Sequence, residues 1–196
     1  MIKTSVLIAT IAGALSVFWG TALVRGQDKG PQPKIMRFDV VWWQNANSDE
    51  QQGFIYGYLD CRQIPKAAKA SIVDYQNSVS ISVKSQSTRD PNAITKAIES
   101  AAKTLKSRDT RGAEVYDGPH GFLDGGWWGD QPANWGDSDR GYLEGYLECA
   151  LPPVTSQAVS KYQRAIDRHY ASGTHDDDKI ADVLQQLLKS ASLHQD

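Results

Sequence analysis

Histidine is scarce in this chain, with four residues in 196, and cysteine is scarcer still, with two. The histidines, His120, His169, His175 and His194, fall in no HExxH or His-x-His spacing of the kind that brings imidazoles together on zinc. GxSxG elbows, P-loops and glycine-rich nucleotide fingerprints are missing too, so the sequence shows no catalytic set and implies no cofactor. Basic excess is lacking: Lys plus Arg total 21 against 23 Asp plus Glu, a formal net charge of -2. Without a Lys/Arg stripe to neutralise phosphates, a nucleic-acid partner is not expected.

Charge is absent altogether from Ser5 to Val24. That run follows a short positive start containing Lys3 and leads to a small-residue exit before Gln27, the order of a secretory signal over residues 1–26. The alternative is a retained span, since about 20 apolar residues can cross a bilayer. Only in that case would the protein meet a membrane. Both readings put the folded part in the periplasm or outside the cell. Residues 27–37, polar and Pro-containing, read as a disordered lead. In an oxidising compartment Cys61 and Cys149 are candidates for one bridge, the alternative being two buried thiols that act as small hydrophobes.

The chain does carry a repeated pattern. Residues 53–61 read GFIYGYLDC and residues 141–149 read GYLEGYLEC. Each is preceded by a tryptophan pair, Trp42-Trp43 or Trp127-Trp128, and then by Ser-Asp at 48–49 or 138–139. Each is followed by a proline step, Ile64-Pro65 or Leu151-Pro152-Pro153, and by the matching stretches Ile72-Val73-Asp74-Tyr75-Gln76 and Val159-Ser160-Lys161-Tyr162-Gln163. Both copies close on Leu-Lys-Ser, at 105–107 and 188–190. Features this rare, recurring in one order, mark an internal duplication.

The period is helical: Phe54 and Tyr58, like Ile55 and Leu59, lie four apart. Ser48 and Ser138 are placed as N-caps with acidic residues in the first turn, and Pro65 and Pro152 end these helices or open the next. Second helices are expected over about 66–85 and 156–171, and third helices over 94–107 and 180–190. Asp90-Pro91 and the Asp176-Asp177-Asp178 run read as starts of the third helices. The expected fold is all-α: two tandem three-helix repeats, 38–107 and 137–196, related by pseudo-two-fold symmetry. They are joined by a Gly/Trp-rich loop, 108–136, that contains seven glycines.

Gly53, Gly57 and Cys61 stand at i, i+4 and i+8, as do Gly141, Gly145 and Cys149, so each set shares a helix face. Glycine inside a helix costs about 0.5–1 kcal/mol relative to alanine, so four of them imply a compensating close approach. Either the tryptophans of the same half lie over the glycines, or the two signature helices pack on each other. A Cys61–Cys149 bridge suits the second arrangement.

Gly-Tyr-x-x-Gly-Tyr-x-x-Cys, then Leu-Pro-Pro-Val-Thr-x-x-x-Val and a final amphipathic helix, resembles the Rap1a/Tai family. The likeness covers roughly Asp137 to Ser190 and, more faintly, Asp49 to Ser107. It implies a small exported helical fold and, by analogy with members of that family, immunity against peptidoglycan-amidase effectors of type VI secretion. The chain lacks the terminal cysteine of many relatives, so their intradomain disulfide is not carried over. It also holds two copies, which could imitate a dimer of single-copy relatives.

Three readings of function follow. The first is a non-enzymatic helical protein that binds a protein partner, in its specific form an immunity-type inhibitor of a cell-wall amidase. The second is a binder of cell-wall glycan through the Trp-rich loop, using Trp127, Trp128 and Trp135 with Asp130 and Asp137, because indoles beside carboxylates suit both sugar ledges and protein-interface anchors. The third is a hydrolase using Glu144 and Glu148, one turn apart, although such a pair more often marks a solvated helix face.

Overall fold

A carboxylate starts the described fold. Asp39 Oδ1 accepts from the backbone N–H groups of Val41 and Trp42 at 3.0 and 3.1 Å and caps a short helix, α1, Val40–Asn45. The computed structural model describes residues 34–66, 70–86, 90–107, 123–129 and 136–192. Within these follow α2 (Ser48–Cys61), α3 (Ile72–Lys84), α4 (Ala93–Ser107), α5 (Gly125–Gly129), α6 (Gly136–Ala150), α7 (Ser156–Tyr170) and α8 (Ile180–Ser192). The architecture is all-α. Among the described residues extended pairing is limited to two isolated bridges, Ile35 with Thr155 and Asp124 with Lys179. No helix of the described residues is long and apolar enough to cross a membrane.

Each half of the described chain thus carries four helices instead of the expected three. The reason is local. Each tryptophan pair follows an aspartate, Asp39 or Asp124, whose Oδ1 takes up N–H groups that a helix start leaves unpaired. The pair then coils into a short helix of its own, α1 or α5.

Two starts also differ from expectation. Asn47, and not Ser48, caps α2, its Oδ1 accepting from Glu50 N at 2.9 Å. Ser138 lies inside α6, buried where α2 crosses, and caps nothing. Helix α3 begins at Ile72 and not near residue 66, because Ser71 and Asp74 form a capping box there. Its β-branched end stays helical, with Val79 and Val83 in the core and Ile81 facing solvent at 70% exposure.

Helices α2 and α6 make the most extensive pair, α3 packs on α2 and α4, and α7 packs on α6 and α8. The glycines explain the central crossing. A methyl group on Gly53 would run into the Ser138 carbonyl, and one on Gly57 into that of Tyr142. On Gly141 it would meet the Glu50 carbonyl, and on Gly145 that of Phe54. These contacts are reciprocal, since Glu50 and Ser138 precede their glycines by the same three residues, as do Phe54 and Tyr142. Of the two arrangements left open, the backbone of the opposite helix occupies the glycine faces. Cys61 and Cys149 are bridged, with Cα atoms 6.2 Å apart.

Further matched contacts tie each tryptophan pair to its own half. Trp43 Nε1 donates to Ser80 Oγ in α3 at 3.1 Å, and Trp128 Nε1 donates to Asp167 Oδ1 in α7 at 2.9 Å. Trp42 packs on Phe54 with ring centroids 4.8 Å apart, and Trp127 on Tyr142 at 5.9 Å. Around the seam, Ile55, Leu59, Leu143, Leu147, Ile98 and Ile166 are fully buried and form the middle of the core.

A lysine-rimmed cleft and buried carboxylates

The C-terminal end of α2 builds a cleft. Gln63 takes the left-handed conformation, φ 52°, that usually falls to glycine after a helix. Its N–H donates to the Asp60 carbonyl at 3.1 Å and that of Ile64 to the Leu59 carbonyl at 3.0 Å, which is the Schellman pattern. This turn sends Ile64, Pro65 and Lys66 back beside the helix end. With Leu59, Asp60 and Lys179 from the start of α8, they enclose an open cavity of about 390 Å³.

Its chemistry is set by one carboxylate and two ammonium groups. Asp60 Oδ2 accepts from the Tyr142 hydroxyl at 2.8 Å, and Asp60 Oδ1 lies 3.7 Å from Lys66 Nζ. Lys66 Nζ also stands 4.7 Å over the Tyr56 ring, a cation–π contact. Burial, and then the neighbouring Asp60 charge, push the fully buried Tyr142 hydroxyl well above its ordinary pKa, so it remains a donor. Asp60 balances one of the two lysines, so the wall keeps one net positive charge above apolar Leu59 and Ile64. Such a wall suits an anionic group carried on an apolar stem.

A second group of charges lies along the α2–α6 crossing. The expectation that Glu144 and Glu148 form a solvated helix face is overturned. Glu144 is 0% exposed and Glu148 is partly buried. Burial pushes Glu144 up to about 7, against the pull of Arg140, whose Nε lies 2.7 Å from Glu144 Oε1. Glu148 is likewise raised to about 7 by burial. Asp139, also buried, is raised to about 7 by burial and then by Asp167. Glu144 Oε2 and Asp139 Oδ1 have no hydrogen-bond partner among the described residues. Carboxylates so perturbed resemble an acid–base site, but Glu144 offers no surface to a substrate.

The proposed tryptophan ledge is divided by the fold. Trp128 is buried at 7% exposure with its indole N–H on Asp167, so its ring is withdrawn into the core. Trp127 is half-buried against Tyr142. Asp137 is exposed and accepts from Asn47 Nδ2 at 2.5 Å, which ties the starts of α6 and α2. Trp135 and Asp130 lie outside the described residues.

The structure also assembles a group that sequence spacing did not reveal. His169 at the end of α7, and His175 and Asp178 in the turn before α8, converge with their ligand atoms within 4.8 Å of one another. The Asp176-Asp177-Asp178 run reads as a helix start, yet the Asp178 carboxylate faces the two imidazoles. The available signal was Gly173, whose φ of 66° folds the chain back after α7.

Comparison of the chain with protein-family models, with curated proteins and with solved structures finds no match.

Proposed function

We propose that this is an exported, non-enzymatic protein that binds another protein, and that the cleft at the end of α2 receives an acidic group of that partner. The observation carrying this reading is the cleft itself: Lys66 and Lys179 on its wall, with the one carboxylate there, Asp60, already held by Tyr142 and Lys66. A wall of this kind recognises charge without supplying a base. The full burial of Glu144 supports a structural role for it over the hydrolase alternative. Burial of Trp128 leaves a half-buried Trp127 as the one partly exposed indole among the described members of the ledge, which favours a protein partner over cell-wall glycan.

The Rap1a/Tai resemblance supplies the partner class, a peptidoglycan amidase, and the signal-like residues 1–26 and the Cys61–Cys149 bridge suit a periplasmic or secreted site of action. The test is the activity of a peptidoglycan amidase of that class, titrated with wild type and with Lys66→Glu/Lys179→Glu. Wild type is expected to form a complex and inhibit, and the double variant to lose both. Absence of a complex with wild type, or equal inhibition by the variant, would refute the assignment of partner or of cleft, respectively.

A further inference from the structure

We propose that His169, His175 and Asp178 form a binding site for one divalent transition-metal ion of the zinc class. His169 Nε2 lies 2.9 Å from Asp178 Oδ2, and His175 Nδ1 lies 3.2 Å from that same oxygen. The two imidazole rings stack with centroids 4.6 Å apart. In a tetrahedral zinc site with metal–ligand bonds near 2.0–2.1 Å, neighbouring ligand atoms stand about 3.3 Å apart. The triad is therefore within a few tenths of an ångström of that spacing along two edges. An ion placed between the three atoms would take a lone pair from each nitrogen and one from the carboxylate.

The donor set selects the ion. Two imidazoles and one carboxylate suit Zn²⁺, Co²⁺ or Ni²⁺, whereas Ca²⁺ and Mg²⁺ require mostly oxygen. Three protein ligands leave a coordination position open, and the triad lies at the surface, with His175 and Asp178 about half exposed.

The ligands are also held in place. Tyr170 OH donates to the Asp178 carbonyl at 2.8 Å, and Asp178 N donates to the His175 carbonyl at 2.9 Å. The same turn anchors the second tryptophan pair, because Gly126 N donates to the Asp176 carbonyl at 3.3 Å. Gly125 lies so close to the Tyr170 ring and the Asp176 backbone that no side chain would fit there. An ion here would staple the end of α7 to the start of α8 and steady Lys179, the next residue after Asp178 and part of the cleft wall.

Calorimetric titration of the full, metal-stripped chain with Zn²⁺, and with Co²⁺ as a visible-absorption probe, tests this. The expected result is one ion per chain. Affinity should fall at least about tenfold in His169→Ala and in His175→Ala, in line with the effect of disturbing even outer-shell groups. Asp178→Asn should weaken binding in the same direction. At a hundredfold excess of Zn²⁺ over Kd, Tm should rise by about 5–10 °C in wild type and not in His169→Ala/His175→Ala. Circular dichroism of that double variant separates loss of the site from loss of the fold. No binding by wild type, or Zn²⁺ affinity unchanged in a folded double variant, would overturn the assignment.

Discussion

Replacing Gly57 with alanine tests the central crossing most directly. In an ordinary helix interior the change would stabilise, because glycine is about 1 kcal/mol less favourable than alanine there. In this helix the new methyl group would enter the space of the Tyr142 carbonyl and approach Tyr146 N to 2.8 Å. Main-chain atoms cannot rotate away as a side chain can, so α2 and α6 must separate. The upper part of the range for overpacked cores, about 3 kcal/mol, then applies. Subtracting the propensity gain leaves a net loss of about 2 kcal/mol, or about 4–8 °C in Tm for a domain of this size.

Urea unfolding followed by circular dichroism measures the loss. Gly129→Ala is the internal control, since nothing among the described residues lies within 4 Å of its would-be methyl group, and it should change stability by less than about 0.5 kcal/mol. Adding Gly145→Ala to Gly57→Ala should cost less than the sum of the single changes, because the first substitution has already opened the crossing that the second disturbs. Should Gly57→Ala match or exceed wild type in stability, as Gly129→Ala is expected to, the close approach is not what the glycines serve.

Other consequences can be measured in the same way. Removing the disulfide with Cys61→Ala/Cys149→Ala should cost about 4–5 kcal/mol, given the 88-residue separation it closes, and the unreduced, denatured wild type should show no free thiol. Asp139, Glu144 and Glu148 each reach about 7 in the folded state from ordinary values of 3.8 to 4.5. The fold therefore holds these protons more tightly than the unfolded chain does. Their contribution is complete below about pH 4 and is lost as pH rises through about 7, so Tm should fall from about pH 5 to about pH 8. Glu144→Gln should remove part of that slope, on the order of 3 kcal/mol, and an unchanged slope would refute the assignment. Trp128→Phe deletes the donor to Asp167 and should destabilise by about 1–3 kcal/mol, whereas wild-type stability would show that this bond contributes nothing.

The helices and their crossing were legible because they depend on spacing. Glycine at every fourth position beside aromatics has few uses other than close packing, and the paired cysteines at one helical phase pointed to the same contact. The errors came where a choice depends on neighbours. Asn47 and Ser48 are both good caps, and only the backbone at 47 decides between them. Glu144 was assigned to solvent by the ordinary rule for carboxylates four apart, but α6 is buried on every side from Gly141 to Leu147 and has no solvent face over that stretch. The histidine–aspartate group depends on a glycine turn that brings His169 back beside His175 and Asp178, and residue spacing along the chain does not encode that return.

The reciprocal crossing carries a consequence for how the chain is made. The surface that α2 must cover is supplied by carbonyl groups roughly ninety positions further along, so the first half emerges from the ribosome with its groove unfilled. Nothing in that half can substitute, because the fit is to main-chain atoms of one particular helix. Maturation should therefore wait for the last third of the polypeptide, and until then the nascent protein presents a bare strip of backbone to any chaperone that meets it.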